Sequence, residues 1–329
     1  MKSPVILLNE KEIRACAVMD SEAYDEIAMG FSALAAGEAV LPPIMRIDVA
    51  EHEGEVDVKS AHIRGMDSFA IKIAAGFHRN RELGLPTGSG MMVLVSAVTG
   101  NPLAVLLDNG YLTDLRTGLA GAIAANHLAP QKVETAGIIG SGMQARWQAR
   151  GLKLVRDFKR LLVYGIIEEQ VDAYVSEMAE ELGVEVIKAA SAEEVVRSSR
   201  AVVTTTPSKH PYLNKDWLHP GLHITCMGSD SEDKQEVHAD VFSAVDRVVC
   251  DRKSQALRLG ELHHAKDAGL LTEADADELG ELTAGLKPGR EDENQITICD
   301  LTGVGVQDTQ IARLAFCKAK ERGLGTAIE

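Results

Sequence analysis

Residues 133–149, VETAGIIGSGMQARWQA, decide the fold. The apolar run Ala136-Gly137-Ile138-Ile139 reads as the end of a buried parallel strand. Gly140, Ser141, Gly142, Met143, Gln144 and Ala145 then spell the G-x-G-x-x-A form of a dinucleotide-binding turn, and a helical stretch follows. Each residue type has a physical reason. Gly140 permits a tight turn, Gly142 lets backbone N–H groups approach a pyrophosphate, and Ala145 is small enough for helix and strand to pack closely. The helix N-terminus adds unpaired N–H donors and a partial positive charge. The glycine turn alone is a common pattern. The strand before it, the helix after it and a second strand at 160–165 make it the opening of a nucleotide fold.

Downstream the strand and helix patterns alternate. A helix is expected over Glu168–Leu182, a strand at 185–187, a helix over Ala192–Ser198, and strands at 201–205, 223–227 and 248–250, with 296–299 closing the sheet. That is a doubly wound parallel sheet. Upstream, Asp20-Ser21 caps a helix that Gly37 ends, and the prolines of Leu41-Pro-Pro-Ile-Met-Arg46 impose an extended segment. Strands at 55–59, 69–73, 91–97 and Pro102–Leu107 follow without intervening helices, which predicts a mostly antiparallel sheet. An alanine-rich helix over 113–129 leads into the nucleotide fold, and an amphipathic helix over 306–320 returns from it. The expected architecture is α/β: a Rossmann doubly wound parallel sheet, residues 129–303, inserted into an α+β substrate-binding and dimerisation domain made of 1–128 plus 304–329.

A chain of 329 residues suits two domains, and its net charge of -15 argues against nucleic acid and anionic membrane surfaces as partners. The five cysteines show no CxxC pair and no metal-like spacing, a pattern that fits a reducing cytoplasm. The first residues, MKSPVILLNEKEIRA, carry a four-residue apolar run, which predicts neither a signal peptide nor a membrane span. The histidines are scattered and no metal site is expected.

Chemistry is sought at the carboxyl ends of the nucleotide-fold strands. Thr204-Thr205-Thr206-Pro207 follows one such strand and Cys226-Met-Gly228-Ser229-Asp230 the next; each also reads as a polar turn. Lys234 and Glu236 stand close behind Asp230 in a charged loop, whose simplest reading is a solvated one. At the second strand's end Gly165 and Ile166 offer neither the ribose-binding acid of NAD-type sites nor an arginine, and Glu168 reads as the first turn of the next helix. NAD and NADP therefore both stay open as cofactor. Arg46, Lys59, Lys72 and Arg116 are cations beside apolar segments of a very acidic chain. Singly each reads as a snorkelling side chain; together they suit a carboxylate.

These residues, in this order, resemble the ornithine cyclodeaminase/mu-crystallin family. The resemblance rests on Leu41-Pro-Pro…Arg46, Ala70-Ile-Lys72, Leu112-Thr-Asp-Leu-Arg116-Thr117, the glycine loop, Thr204-Thr-Thr-Pro207, Gly228-Ser-Asp230…Lys234-Gln-Glu236 and Asp300-Leu-Thr-Gly303…Gln307-Asp308. The wording Pro-Pro-Ile-Met-Arg and Met-Gly-Ser-Asp resembles the branch associated with ectoine utilisation. The resemblance implies a homodimer acting on a small amino or imino acid with NAD or NADP. It implies that Arg46, Lys72 and Arg116 bind the substrate carboxylate, with Lys72 and Asp230 catalytic and Asp230 the acid/base at the amine. Thr117, Gly140, Gly142, Met143, Gln144, Thr204, Thr205, Thr206, Gly228 and Ser229 would hold the cofactor. Imine reduction or amino-acid dehydrogenation, ornithine cyclodeamination to proline and ammonia, and non-catalytic small-molecule binding are the activities implied.

Overall fold

The computed structural model describes residues 4–329, so the first three residues of the N-terminal stretch lie outside it. The chain divides into two compact units, Met1–Arg116 with Val304–Glu329, and Thr117–Gly303. The first opens with strand β1 (Val5–Asn9), whose last residue caps helix α1 (Glu10–Cys16) in a capping box with Glu12. Asp20 caps α2 (Ser21–Ala35) through the Ala23 amide. Strands β2 (Ala39–Val40), β3 (Met45–Val49), β4 (Gly54–Ile63), β5 (Ser68–Phe77), β6 (Gly88–Ser96) and β7 (Pro102–Leu107) follow. From β4 to β7 every neighbour is antiparallel, as the period-two patterning predicts, and β1 joins parallel to β7. Helix α3 (Tyr111–Leu128) then carries the chain across the unit division, which falls at Arg116/Thr117 rather than the expected 128/129. The alanine-rich helix gave no sequence mark of where its packing partners change.

The second unit is an eight-stranded, wholly parallel sheet. In chain order come β8 (Thr135–Ile139), α4 (Met143–Val155), β9 (Arg160–Tyr164), α5 (Glu168–Leu182), β10 (Glu185–Lys188), α6 (Ala192–Ser198), β11 (Ala201–Thr204), β12 (His223–Cys226), β13 (Arg247–Cys250), α7 (Lys253–Leu259), α8 (Glu261–Asp267), β14 (Ala276–Glu278), α9 (Leu279–Thr283) and β15 (Thr297–Asp300). Every residue of β8, β11, β12 and β15 is buried, because helices cover both faces of a doubly wound sheet. The strand order is β10-β9-β8-β11-β12-β15-β13-β14. It corrects the expectation that the last strand closes the sheet: β15 is inserted between β12 and β13, and the edge is β14, too short to announce itself. The order reverses between β8 and β11, so the glycine loop and the threonine loop flank the switch point where ligands of open α/β sheets bind.

The chain returns to the first unit through α10 (Gly305–Glu321) and ends in β16 (Thr326–Ile328), antiparallel to β1. Helix α10 lies on the face of β4 and β5 that carries Ala61 and Ala70. The Thr309 hydroxyl donates to the Ala61 carbonyl at 2.7 Å and accepts from the Ala70 amide at 3.1 Å, tying the helix to both strands at one register position. The expected apolar positions Ile311, Leu314 and Ala315 are buried. The first turns also bury Gln307, Asp308, Thr309 and Gln310, an unusual set of polar side chains for a helix core.

Candidate functional site

Two sets of side chains stand out, one in each unit. In the first unit, alternation along the strands places Lys59 and Lys72 directly opposite each other on β4 and β5, both facing inward. Lys72 is only 2 % exposed, yet its ammonium meets a single carboxylate: Nζ lies 3.1 Å from Asp308 Oδ1 on α10. Arg116, from the second turn of α3, reaches the same oxygen with Nε at 3.1 Å and donates from Nη1 to Gln307 Oε1 at 3.1 Å. Gln307 is itself held by the Val304 amide at 3.0 Å. These ion pairs are close, and Arg116 Nε and both Asp308 oxygens make no hydrogen bond beyond them. Buried charges that are paired but not otherwise hydrogen-bonded are poised for a further polar partner.

Arg46 is not part of that pair. Register puts it on the same sheet face, since Arg46 opposes Asp57, Asp57 opposes Ala74, and Ala74 stands two residues from Lys72. Its guanidinium is held by Asp48 at 2.9 Å and by Glu55, with Asp57 at 3.9 Å. The structure thus brings Lys72 and Arg116 together and leaves Arg46 neutralised by three acids on the sheet edge.

Burial drives the Lys72 pKa down to about 7; Arg116 and, more weakly, Lys59 add to that, while Asp308 opposes it. Asp108, buried just before α3 with its Oδ2 accepting from the Leu112 amide, is the other acid facing this region; burial pushes it up to about 6. The consequence has a definite sign. The ammonium is the form that attracts a carboxylate, and it is lost as pH rises through about 7. Affinity for a small carboxylate should therefore be flat below that pH and decline above it. Asp308→Asn removes the group that holds the proton and should move the break to lower pH. A profile of carboxylate affinity against pH, flat to pH 9 in both proteins, would show that Lys72 is not the titrating group.

In the second unit the glycine loop has the form a dinucleotide needs. Gly140 has φ +111°, and a Cβ there would stand 2.4 Å from Thr205 Oγ1, so the turn requires glycine. A Cβ on Gly142 would meet nothing within 4 Å. That glycine is not demanded by the protein's own packing; it leaves open space in front of the N-terminus of α4, which no side chain caps. Open space and uncapped amides together fit a phosphate. Met143 is exposed at this end, and Ala145 is fully buried behind it, where its carbonyl accepts from the Tyr174 hydroxyl at 3.2 Å. Thr117 is nearly buried, with its carbonyl accepting from Gln148 Nε2 at 2.9 Å, and Gln144 is half-buried on α4.

The two loops after β11 and β12 turn their hydroxyls inward. Thr204 is fully buried and donates its hydroxyl to Glu236 Oε2 at 2.6 Å; Ser229 is 1 % exposed and donates to the Lys234 carbonyl at 2.7 Å. The Thr205 hydroxyl donates to the Ile139 carbonyl at 3.0 Å and that of Thr206 to Glu236 Oε1 at 2.7 Å. All four hydroxyls are engaged inside the protein, because a loop at a strand end must satisfy its own polar groups. Asp230 is half-exposed and paired with Lys234 at 2.6 Å. Gly228 lies between Thr206 and Glu236, where a Cβ would come within 2.2 Å of the Thr206 carbonyl oxygen.

Glu168 forms an exposed ion pair with Lys188 at 2.6 Å in the first turn of α5, as its helix-terminus reading predicts. Ile166, 91 % exposed, stands two residues past the end of β9, where a ribose-reading acid would be. Sequence reasoning missed two residues as site elements: Asp308, quoted only within a motif, and Glu236, read as part of a solvated loop and in fact fully buried. The signal for the first was available, since an acid in a helix flanked by Val306 and Ile311 is out of place unless paired. Among the described residues no cluster of histidine, cysteine, aspartate or glutamate can hold a metal ion, and no helix is long and apolar enough to cross a membrane.

Residues 4–323 match the model of the ornithine cyclodeaminase/mu-crystallin family. A putative dehydrogenase of Rhizobium meliloti (strain 1021) is 45% identical over 324 residues, 98% of either chain. A structure of Thermococcus litoralis Delta(1)-pyrroline-2-carboxylate reductase in complex with NADH and L-proline superposes with a TM-score of 0.93 at 30% identity, covering 98% of this chain and 99% of that one. An archaeal alanine dehydrogenase dimer with bound NAD gives 0.91 at 33%, covering 99% of each.

Proposed function

Because the chain belongs to the ornithine cyclodeaminase/mu-crystallin family, we propose that it is an NAD(P)-dependent oxidoreductase acting at the α-amino or α-imino carbon of a small amino acid. The observation that carries this reading is the buried Lys72–Asp308–Arg116 arrangement, which presents two cations and spare hydrogen-bonding capacity to a carboxylate. A bound nicotinamide supplies or accepts the hydride at the substrate Cα. Arg116 and Lys72 fix the α-carboxylate and with it the position of Cα. Asp230 gives the nitrogen a proton as the imine is reduced and takes one when the amine is oxidised. Arg46 becomes a third carboxylate ligand if it exchanges its acidic neighbours for substrate. The cofactor is held by the backbone of Gly140–Met143, the amides of α4, and the backbone of Thr205, Thr206 and Gly228, with Thr117 and Gln144 beside them. The Thr204 and Ser229 side chains keep those loops in shape.

Asp230 also favours a second reading, cyclodeamination of ornithine to proline and ammonia, in which the same carboxylate manages an amine proton and the hydride is returned within one turnover. The finer reading of the substrate as an ectoine-derived diamino acid rests on the wording around Arg46 and Asp230. The protein is read as cytoplasmic, in keeping with five free cysteines, and as a homodimer formed by the first unit, whose outer sheet face carries half-buried Phe69, Ile71, Ile73, Val93 and Val95. A particle of twice 35.3 kDa in solution is the expected mass.

The test is a panel followed simultaneously for ammonia and reduced nicotinamide: Δ1-pyrroline-2-carboxylate with NADH or NADPH, and L-alanine, L-ornithine and L-2,4-diaminobutyrate with NAD or NADP. Consumption of reduced cofactor by the imine, or net reduction with an amino acid, is expected. Ammonia from ornithine without net reduction makes the enzyme a cyclodeaminase. Binding of cofactor with no turnover anywhere in the panel would leave a small-molecule binder.

A further inference from the structure

Glu236 is the centre of a dense polar network in the second unit, and the reaction chemistry makes no use of it. It follows β12 by ten residues of irregular chain, and it is fully buried. Its Oε1 accepts from the Thr206 amide at 2.6 Å, the Thr206 hydroxyl at 2.7 Å and the Tyr212 hydroxyl at 2.9 Å. Its Oε2 accepts from the Thr204 hydroxyl at 2.6 Å and the Gly228 amide at 2.9 Å. Two of the five partners are backbone amides and three are hydroxyls; burial pushes the carboxyl's pKa up while these bonds oppose the rise, so one side chain accepts from both loops. The backbone is committed as well. The Glu236 carbonyl accepts from the Tyr212 and Leu213 amides, and its own N–H donates to Glu261 Oε1 at 2.7 Å. Glu261, at the start of α8, also accepts from the Val237 amide at 3.2 Å, so the position of Glu236 is fixed from behind.

The placement of the donors is what matters. Thr204 and Thr206 belong to the loop after β11, Gly228 to the loop after β12, and one carboxylate joins them. We propose that Glu236 is a positioning residue for the cofactor, setting the spacing of these two loops so that their outward backbone groups present a preformed cradle to the dinucleotide. The close approach explains Gly228, where a Cβ would sit 2.5 Å from Glu236 Cδ. It also explains why the hydroxyls of this threonine run point inward: they are the fixings of the loops, and the ligand is met by what they hold in place. Preorganisation of this kind shows in affinity, since loops that must be ordered on binding weaken it. The proposal rests on the reading of these loops as cofactor-binding.

The experiment replaces Glu236 by glutamine, which keeps the shape, removes the charge and puts an NH2 against at least one donor. NADH and NADPH titrations by fluorescence should show a dissociation constant raised roughly ten-fold or more, the effect of losing bonds to a charged acceptor. The KM for whichever substrate the panel identifies should change less than about two-fold, because the carboxylate clamp belongs to the other unit. Should Glu236→Gln fail to fold by circular dichroism, Tyr212→Phe removes one donor from Oε1 at less structural cost, and a smaller rise in the same constant is expected. A folded Glu236→Gln protein with unchanged cofactor affinity overturns the proposal, as do equal losses of cofactor and substrate affinity, which would make Glu236 a general brace. If the unaltered protein binds neither NADH nor NADPH, the cofactor reading itself falls, a result distinct from either.

Discussion

Arg116→Met is expected to lower kcat/KM by roughly three orders of magnitude, about 4 kcal/mol of transition-state stabilisation. Arg116 is nearly buried, and its contacts are Gln307 and Asp308 of α10. An arginine fork on a carboxylate supplies two charge-assisted bonds of about 1.5–3 kcal/mol each and fixes the plane of the bound group. Methionine keeps the apolar stem, and Lys72 still compensates Asp308 at 3.1 Å, so the fold should survive with a modest loss of melting temperature. NADH affinity should stay within about two-fold, since the role proposed for Arg116 is to hold the substrate carboxylate and its contacts are on α10. Steady-state kinetics beside a direct NADH titration separates the outcomes. Parallel losses in both would mean that Arg116 is a structural residue and that the clamp lies elsewhere.

Asp230→Asn should lower kcat by about 10²–10⁴-fold with little change in substrate or cofactor binding, the usual consequence of removing a general acid/base while leaving its shape. Asp230 is half-exposed and its partner Lys234 sits four residues on, so the substitution weakens a partly exposed ion pair and should cost little stability. The pH profile gives a second readout: the limb of kcat that reports Asp230 should vanish in the variant. Full activity in Asp230→Asn would remove the residue from the chemistry and place the acid/base role on another group. These two substitutions divide the proposed mechanism cleanly, one at the carboxylate and one at the nitrogen.

The local signals in the chain were strong where a single element decides the outcome. Period two at 55–59 and 69–73, the cap at Asp20, and the apolar run before Gly140 each gave the element that the structure shows. The glycine turn likewise depends on backbone conformation and local space, which Gly140 and Gly142 report directly. Strand order is another matter. That β15 enters between β12 and β13 depends on long-range pairing among runs of similar composition, and no run names its neighbour.

The same division holds for the site. Lys72, Arg116 and Asp230 could be singled out as candidates because charges amid apolar sequence, or past a strand's carboxyl end, carry a cost that a function would explain. Their partners were not. Asp308 sits on a helix 192 residues beyond Arg116 in the chain, as Gln307 sits 191 beyond, and only folding lays that helix on β4 and β5. Glu236 looked like one more acid in a charged loop, and the tertiary structure alone buries it under donors from two loops. Sequence by itself determined the elements and the chemical types available, because these follow from short-range sterics and periodicity. Tertiary structure decided which charges share a carboxylate and which hydroxyls turn inward, because burial and pairing are properties of where distant segments meet.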